Sequence, residues 1–174
     1  MENANEQVVL VDTTDRAIGV MDKLEAHRKG ILHRAISIWI EDGHGRVLLQ
    51  QRAASKYHSP LLWANACCSH PREEESLQNA AARRLKEELG ICCHLERQFS
   101  FIYQAAVGQG LIEHEFDHVF FGIYDGPFSL NLNEVSAVQW VDFDWLQQAL
   151  LQQKDMFAAW FPYVYAKVLH TKSK

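Results

Sequence analysis

Apolar residues recur at every second position of AISIWI (35–40), which places Ile36, Ile38 and Ile40 on one face. A period of two is the signature of a strand. The Gly-rich EDGHGR (41–46) reads as a turn and VLLQQR (47–52) as the returning strand, so the pair forms a β-hairpin. QVVLVD (7–12) is a further short strand. The period changes in SLQNAAARRLKEEL (76–89), where Leu77, Ala81, Leu85 and Leu89 recur every four residues and Gly90 follows as a C-terminal cap. That spacing predicts a helix. LIEHEFDHVFFGIY (111–124) and AVQWVDF (137–143) read as strands. From Trp145 onward the chain is largely helical, with aromatics at Trp145, Phe157, Trp160, Phe161, Tyr163 and Tyr165. Short strands mixed with a few helices predict an α+β layered fold, a sandwich of helices on a mixed sheet.

Composition narrows the class. A chain of 174 residues is long enough for one domain, 1–174, with a substantial core. No apolar run approaches the ~18 residues of a membrane span. The opening MENANEQVVLVD lacks the basic and apolar regions of a signal peptide, and the expected compartment is the cytoplasm. The four cysteines fall as neighbours, Cys67-Cys68 and Cys92-Cys93, and read as reduced thiols. A net charge of -5 argues against a general nucleic-acid binder. Nine histidines make metal ligation worth testing.

Several clusters carry candidate chemistry. Arg84 and Glu88 are four apart and share a helical face, at the edge of the apolar stripe. A surface salt bridge and a site pair weigh evenly there, whereas Arg83 with Glu87 fits a surface pair. In the strand containing IEHE (112–115), alternation puts Glu113 and Glu115 on one face and His114 and His118 on the other. Two adjacent carboxylates repel, and they are compatible around a cation or as a pair sharing a proton. A solvated strand face is the bland reading. His27 and His33 are six apart, a spacing that fixes no common face, and a satisfied or solvent-facing pair is the default. Lys23, Arg52 and Lys56 could clamp an anion such as phosphate, although a basic loop more often serves solubility. WANACCSHP (63–71) lacks the C-x-x-C spacing of a structural zinc site or a thioredoxin-type pair. It leaves either a reactive cysteine beside His70 or buried apolar thiols.

WANACCSHP resembles the catalytic cysteine motif of the type I isopentenyl-diphosphate isomerases, a family of the Nudix superfamily. The helix is similar to a degenerate Nudix box through Glu75, Arg83, Leu85, Glu87, Glu88, Gly90 and Ile91. The likeness runs from GVMDKLEAH (19–27), through RAASK (52–56) and the cysteine motif, to FIYQAAVGQGLIEHE (101–115). It implies an α/β/α Nudix-like sandwich that interconverts isopentenyl and dimethylallyl diphosphate. By the same resemblance, His27, His33, His70, Glu113 and Glu115 surround one tightly bound divalent metal, Mn²⁺, Mg²⁺ or Zn²⁺. Cys68 is the catalytic cysteine. Glu115 is the second catalytic group, with Tyr103 beside it. Glu88 and the Cys68 carbonyl hold a Mg²⁺ that arrives with the substrate diphosphate. Lys23, Arg52, Lys56 and Arg84 bind the diphosphate. Trp160, ahead of Tyr163, faces the carbocation. No nucleic-acid or membrane partner is implied.

Two positions depart from the family pattern. Ser69 stands where it has glycine, and a backbone that needs positive φ would be strained there. Arg84 replaces the glutamate that follows the arginine of the box, which counts against the alternative activity, pyrophosphate hydrolysis of a nucleoside diphosphate derivative. A metal-stabilised binding module is the non-enzymatic alternative. It gives no reason for Glu88, Arg84, Arg52 and Lys56 to converge.

Overall fold

A computed structural model describes residues 6–172. Strand β1 (Gln7–Val11) pairs antiparallel with β2 (Ala17–Asp22), and α1 (Lys23–Lys29) follows directly. The Asp22 side chain caps α1 by accepting the Glu25 amide, and Gly30 ends it at φ 62. This reversal delivers the chain into β3 (His33–Glu41), the centre of the sheet. The expected hairpin joins β3 to β4 (Arg46–Arg52), with one register pair, Glu41 with Val47. A long loop then leads to the short strands β5 (Trp63–Asn65) and β6 (Cys67–Ser69).

Helix α2 (Leu77–Leu89) is capped by Ser76, whose hydroxyl accepts the Asn79 amide, and ends at Gly90 with φ 70. After it come β7 (Leu95–Gly108) and β8 (Leu111–Ile123), an antiparallel pair. β9 (Val135–Asp142), α3 (Phe143–Gln152) and α4 (Phe161–Lys172) complete the described chain. A 3-10 turn at Lys154–Met156 separates the last two helices. Pro162 falls in the first turn of α4, where a missing N–H is tolerated.

β3 pairs parallel with β8 from His33–Glu115 to Glu41–Ile123 and antiparallel with β6. β4 is flanked by β5 and β9. The centre of the mixed sheet, at β3, is buried on both faces. Ile36, Ile38 and Ile40 point to α2, where they meet Ala81, Leu85, Leu89 and Phe120. Trp39 points the other way, into a core with Leu146, Phe161, Val164 and Val168 from α3 and α4. The α/β/α sandwich is the expected one.

β7 has no counterpart in the elements expected from periodicity. Phe99, Phe101, Tyr103, Ala105 and Val107 do alternate along it, but register shifts between Arg97 and Phe99 and between Ala106 and Gly108 interrupt the pairing. Such bulges displace a residue from the regular alternation. α1 is seven residues long, too short to propagate by itself, and is held by its caps and packing.

Candidate active site

The site opens at the ends of β3, β4, β6 and β8, beside α1 and the start of α4. It is a cavity of about 730 Å³ whose walls include Lys23, Arg52, Lys56, Cys68, His70, Arg84, Glu88, Tyr103, Glu113, Glu115 and Trp160. Most sequence candidates therefore share one space. His27 and His33 lie behind it, buried, with ring centroids 4.9 Å apart and 5.8 and 5.1 Å from His70. The default of a solvent-facing pair does not hold. The reversal at Gly30 folds the end of α1 onto the start of β3, an approach that sequence spacing could not show.

Alternation along β8 aims Glu113 and Glu115 inward, as expected, and buries both. His114 meets the Gly30 carbonyl at 3.0 Å and His118 meets Asp15 at 3.0 Å, both away from the site. Tyr103, opposite Glu115 on β7, donates to Glu115 at 2.6 Å or to Glu113 at 3.0 Å. His70 Nε2 lies 3.0 Å from Glu115 Oε1 and His33 Nε2 lies 3.5 Å from it. The two carboxylates diverge. Burial and the charge of Glu115 push Glu113 up, whereas His33 and His70 overcome burial and hold Glu115 well below the usual range.

A divalent cation fits this donor set. His27 Nε2, His33 Nε2 and His70 Nδ1 are buried without a hydrogen-bond partner. The Nδ1 atoms of His27 and His33 face the backbone carbonyls of Lys23 and Ile31 at 2.6 and 2.8 Å, which leaves Nε2 as the free lone pair. Burial, with the other imidazoles nearby, lowers His27 to about 4, so its ring is neutral at pH 7. His27, His33, His70 and Glu115 each offer a ligand atom within 4.8 Å of the others. Glu113 falls instead into a second such group, with His27 and His58.

The two cysteines point to opposite sides of β6. Cys67 is fully buried in the α2-side core. Cys68 faces the cavity, its Sγ held between three polar groups. It donates to Asn65 Oδ1 at 3.1 Å, lies 3.5 Å from Ser37 Oγ, and accepts from Trp160 Nε1 at 3.2 Å. Ser37 in turn donates to Asp117 at 2.7 Å. Burial pushes the Cys68 thiol well up, so it carries its proton at pH 7. Burial, with Glu115 beside it, raises Asp117 to about 8. Ser69 does not take a left-handed backbone. It sits in β6 opposite Ile36, so the strain expected of a serine there is absent. Left-handed residues occur instead at Ser59 (φ 49) and Leu61 (φ 61), in the loop before β5.

The cations converge on the other half of the cavity, each with a protein partner. Lys23 pairs with Glu6 at 2.9 Å and Lys56 with Glu134 at 2.5 Å. Arg84 reaches Glu88 and Glu87 at 2.7 Å and Glu134 at 3.4 Å. The i,i+4 pair is thus a site pair, with Glu88 only 3% exposed and also met by Gln50 at 3.2 Å. Arg83 forms a fork with Glu75, both contacts 2.7 Å, touches Glu87, and also lines the cavity. Arg52 lies 5.0 Å from the Trp160 ring centroid. Trp160 is 2% exposed and lines the cavity; Tyr163 is 46% exposed and stacks on Tyr103 from outside.

Sequence reasoning missed His58, Asp117, Ser37, Asn65, Glu6 and Glu134. Asp117 had a signal, since it extends the i, i+2 series of Glu113 and Glu115. His58 lies two residues beyond Lys56 in the same loop. Asn65 lies inside WANACCSHP, three residues before Cys68, whereas Ser37, Glu6 and Glu134 arrive from distant segments and had none.

A NUDIX domain model matches residues 31–161. Isopentenyl-diphosphate Delta-isomerase 2 of Aromatoleum aromaticum is 48% identical over 168 residues, 97% of this chain and 89% of that protein. Isopentenyl-diphosphate Delta-isomerase 1 of the same organism is 53% identical over 155 residues, 89% of this chain and 88% of that protein. The chain belongs to the isopentenyl-diphosphate Delta-isomerase family, within the NUDIX fold. Solved structures agree on the fold. A Deinococcus radiodurans protein superposes with a TM-score of 0.70 at 19% identity, covering 88% of this chain and 92% of that one. A MutT protein from Methanosarcina mazei gives 0.64 at 20% identity, covering 82% and 96%. Cys68, the carboxylates Glu113 and Glu115 and the cations Lys23, Arg52, Lys56 and Arg84 all line this one cavity.

Proposed function

We propose that this chain interconverts isopentenyl diphosphate and dimethylallyl diphosphate by moving one proton onto the alkene and another off the allylic carbon. Membership of the isomerase family supports the reaction, and one observation supports the roles: Cys68 and the Tyr103–Glu115 pair open into the same cavity as four cations. Protonating an unactivated alkene creates a tertiary carbocation. The reaction needs a proton donor on one side, an acceptor on the other, and no water to trap the cation.

Cys68 suits the donor side because its surroundings keep the thiol protonated. Asn65 and Ser37 offer oxygen acceptors, and Trp160 Nε1 donates to the sulfur that would carry charge once the proton leaves. Glu115 suits the acceptor side because its carboxyl is held well below the usual range, with His70 Nε2 3.0 Å from Oε1. Tyr103 fixes its orientation and shields the second oxygen. The Trp160 ring offers the cation a π face that cannot act as a nucleophile. Lys23, Arg52, Lys56 and Arg84 bind the diphosphate, and their present acidic partners, Glu6 and Glu134, yield them to it. This remote binding energy positions a small apolar group that could not bind tightly alone.

A divalent ion held by His27, His33, His70, Glu113 and Glu115 would neutralise the carboxylate pair and fix the geometry of Glu115. Imidazole and carboxylate donors suit Mn²⁺, Mg²⁺ or Zn²⁺. Glu88 would hold a Mg²⁺ brought by the diphosphate. Incubation with isopentenyl diphosphate in D₂O, followed by NMR, tests the reading. Dimethylallyl diphosphate carrying deuterium is the expected product. Release of phosphate without deuterium in any alkene would replace it with hydrolysis.

A further inference from the structure

His58 is 4% exposed and lines the cavity, yet none of the roles above uses it. Its Nε2 lies 3.7 Å from Glu113 Oε1. That is too long for a hydrogen bond, so His58 does not orient Glu113 by donating to it. Its Nδ1 lies 3.3 Å from Ser59 Oγ, which leaves Nε2 as the atom offered to the cavity.

The donor atoms fall into two groups, His27, His33, His70 and Glu115, and His27, His58 and Glu113. Both need His27. Its Nδ1 is already engaged 2.6 Å from the Lys23 carbonyl, so only Nε2 remains, and that atom has no protein partner. One imidazole lone pair ligates one ion. The two groups are therefore two sides of a single centre. Metal–donor bonds of about 2.1 Å put neighbouring donors of an octahedron about 3.0 Å apart and opposite donors about 4.2 Å apart. The separation of 3.7 Å between His58 and Glu113 lies between these values, so those two donors fit one ion; neither falls within 4.8 Å of every donor of the other group, so joining His33, His70 and Glu115 takes an inward rotation of both side chains.

The backbone is built to aim this side chain inward. Ser59 and Leu61, on either side of Pro60, take left-handed φ values that non-glycine residues seldom adopt. A residue before proline is further disfavoured in helical regions. Arg52 holds the loop in this shape: its carbonyl accepts from Leu61, its amide donates to Leu62, and its guanidinium donates to the His58 carbonyl at 3.2 Å.

We propose that His58 is a sixth protein donor at the metal centre, giving its Nε2 to the ion that His27 binds. The donor set becomes four imidazoles and two carboxylates, with no position left for an exchangeable water. This rests on the metal-dependent reading above.

The test uses the full chain loaded with Mn²⁺. Pulsed EPR should count four directly bound imidazole nitrogens in the wild type, and solvent-proton relaxation per bound ion should be low. His58→Ala should lose one nitrogen, raise the relaxation as a water enters, and weaken Mn²⁺ by at least ~10–100-fold, the range for loss of a supporting partner alone. Three nitrogens in the wild type would overturn the proposal without any variant, as would unchanged affinity and relaxation in a folded His58→Ala. A wild type that binds no Mn²⁺ would sink the metal centre itself, and the functional reading with it.

Discussion

At the scale of single residues, one position decides between two neighbouring thiols. Cys67 and Cys68 differ by one step along β6, and a strand reverses its side chains at each step. Cys68 enters the cavity and Cys67 the core behind α2. Cys68→Ala should lower kcat by ~10²–10⁴-fold, the usual worth of a positioned proton donor. Cys67→Ala should keep most of the activity and lower the melting temperature, because it deletes a packed atom from a full core. The two kcat values and two thermal melts check both halves. The reverse assignment of activity would place the chemistry one residue away. Trp160 is proposed to act twice, through its π face and through the Nε1 that donates to Cys68. Trp160→Phe should keep the face and lose the hydrogen bond, and Trp160→Leu should lose both. The expected order of kcat is wild type, Phe, Leu, with each loss on the order of tenfold. Equal losses that follow the melting temperature would make Trp160 a packing residue only.

At the scale of elements, α2 carries both the apolar stripe of one core and Arg84 and Glu88 of the site. Its C-terminus is set by Gly90, at φ 70, where an added Cβ would stand 2.6 Å from Ser129 Cβ and 3.0 Å from the Ser129 amide. That amide is bonded to the Leu89 carbonyl at 2.9 Å, so the segment cannot retreat without losing the bond. Gly90→Ala should therefore destabilise the fold by more than ~1 kcal/mol, from the left-handed backbone alone, with the clash added. Urea unfolding measures it, and a neutral or stabilising result would show that the helix end can relax. The helix was legible because period and cap agree: Leu77, Ala81, Leu85 and Leu89 define a face and Gly90 a stop. β3 was legible through Ile36, Ile38 and Ile40. β7 was not, because its bulges break the register and its first half is largely exposed. α1, β5 and β6 are too short to carry a period, and they exist through pairing and capping. The site followed the same rule. Glu113 and Glu115 were readable from alternation, but the approach of His27 to His33 depends on a turn, and His58 depends on two left-handed residues in a loop.

At the scale of the whole molecule, the proposed metal centre draws on five segments of the chain. Its donors come from α1, β3, the loop after β4, the segment after β6, and β8. Imidazole nitrogens without partners and two buried carboxylates are costly in an empty fold. A cation that binds only the folded chain repays that cost and adds stability by mass action, ~2.7 kcal/mol at a hundredfold excess over Kd. For a chain of this size each kcal/mol moves the melting temperature by about 2–4 °C. Chelation should therefore lower the melting temperature by about 5–10 °C and abolish turnover, and re-addition of one equivalent of Mn²⁺ should restore the melt. Glu113→Gln should behave like the chelated protein, because it removes a charged donor from the shared centre. Glu88→Gln should retain the tight metal, measured by elemental analysis, and still lose activity, if its carboxylate serves the proposed ion that comes with the diphosphate. A Glu113→Gln variant with full metal content would remove that residue from the centre. A Glu88→Gln variant without metal would show that the two carboxylate positions belong to one site.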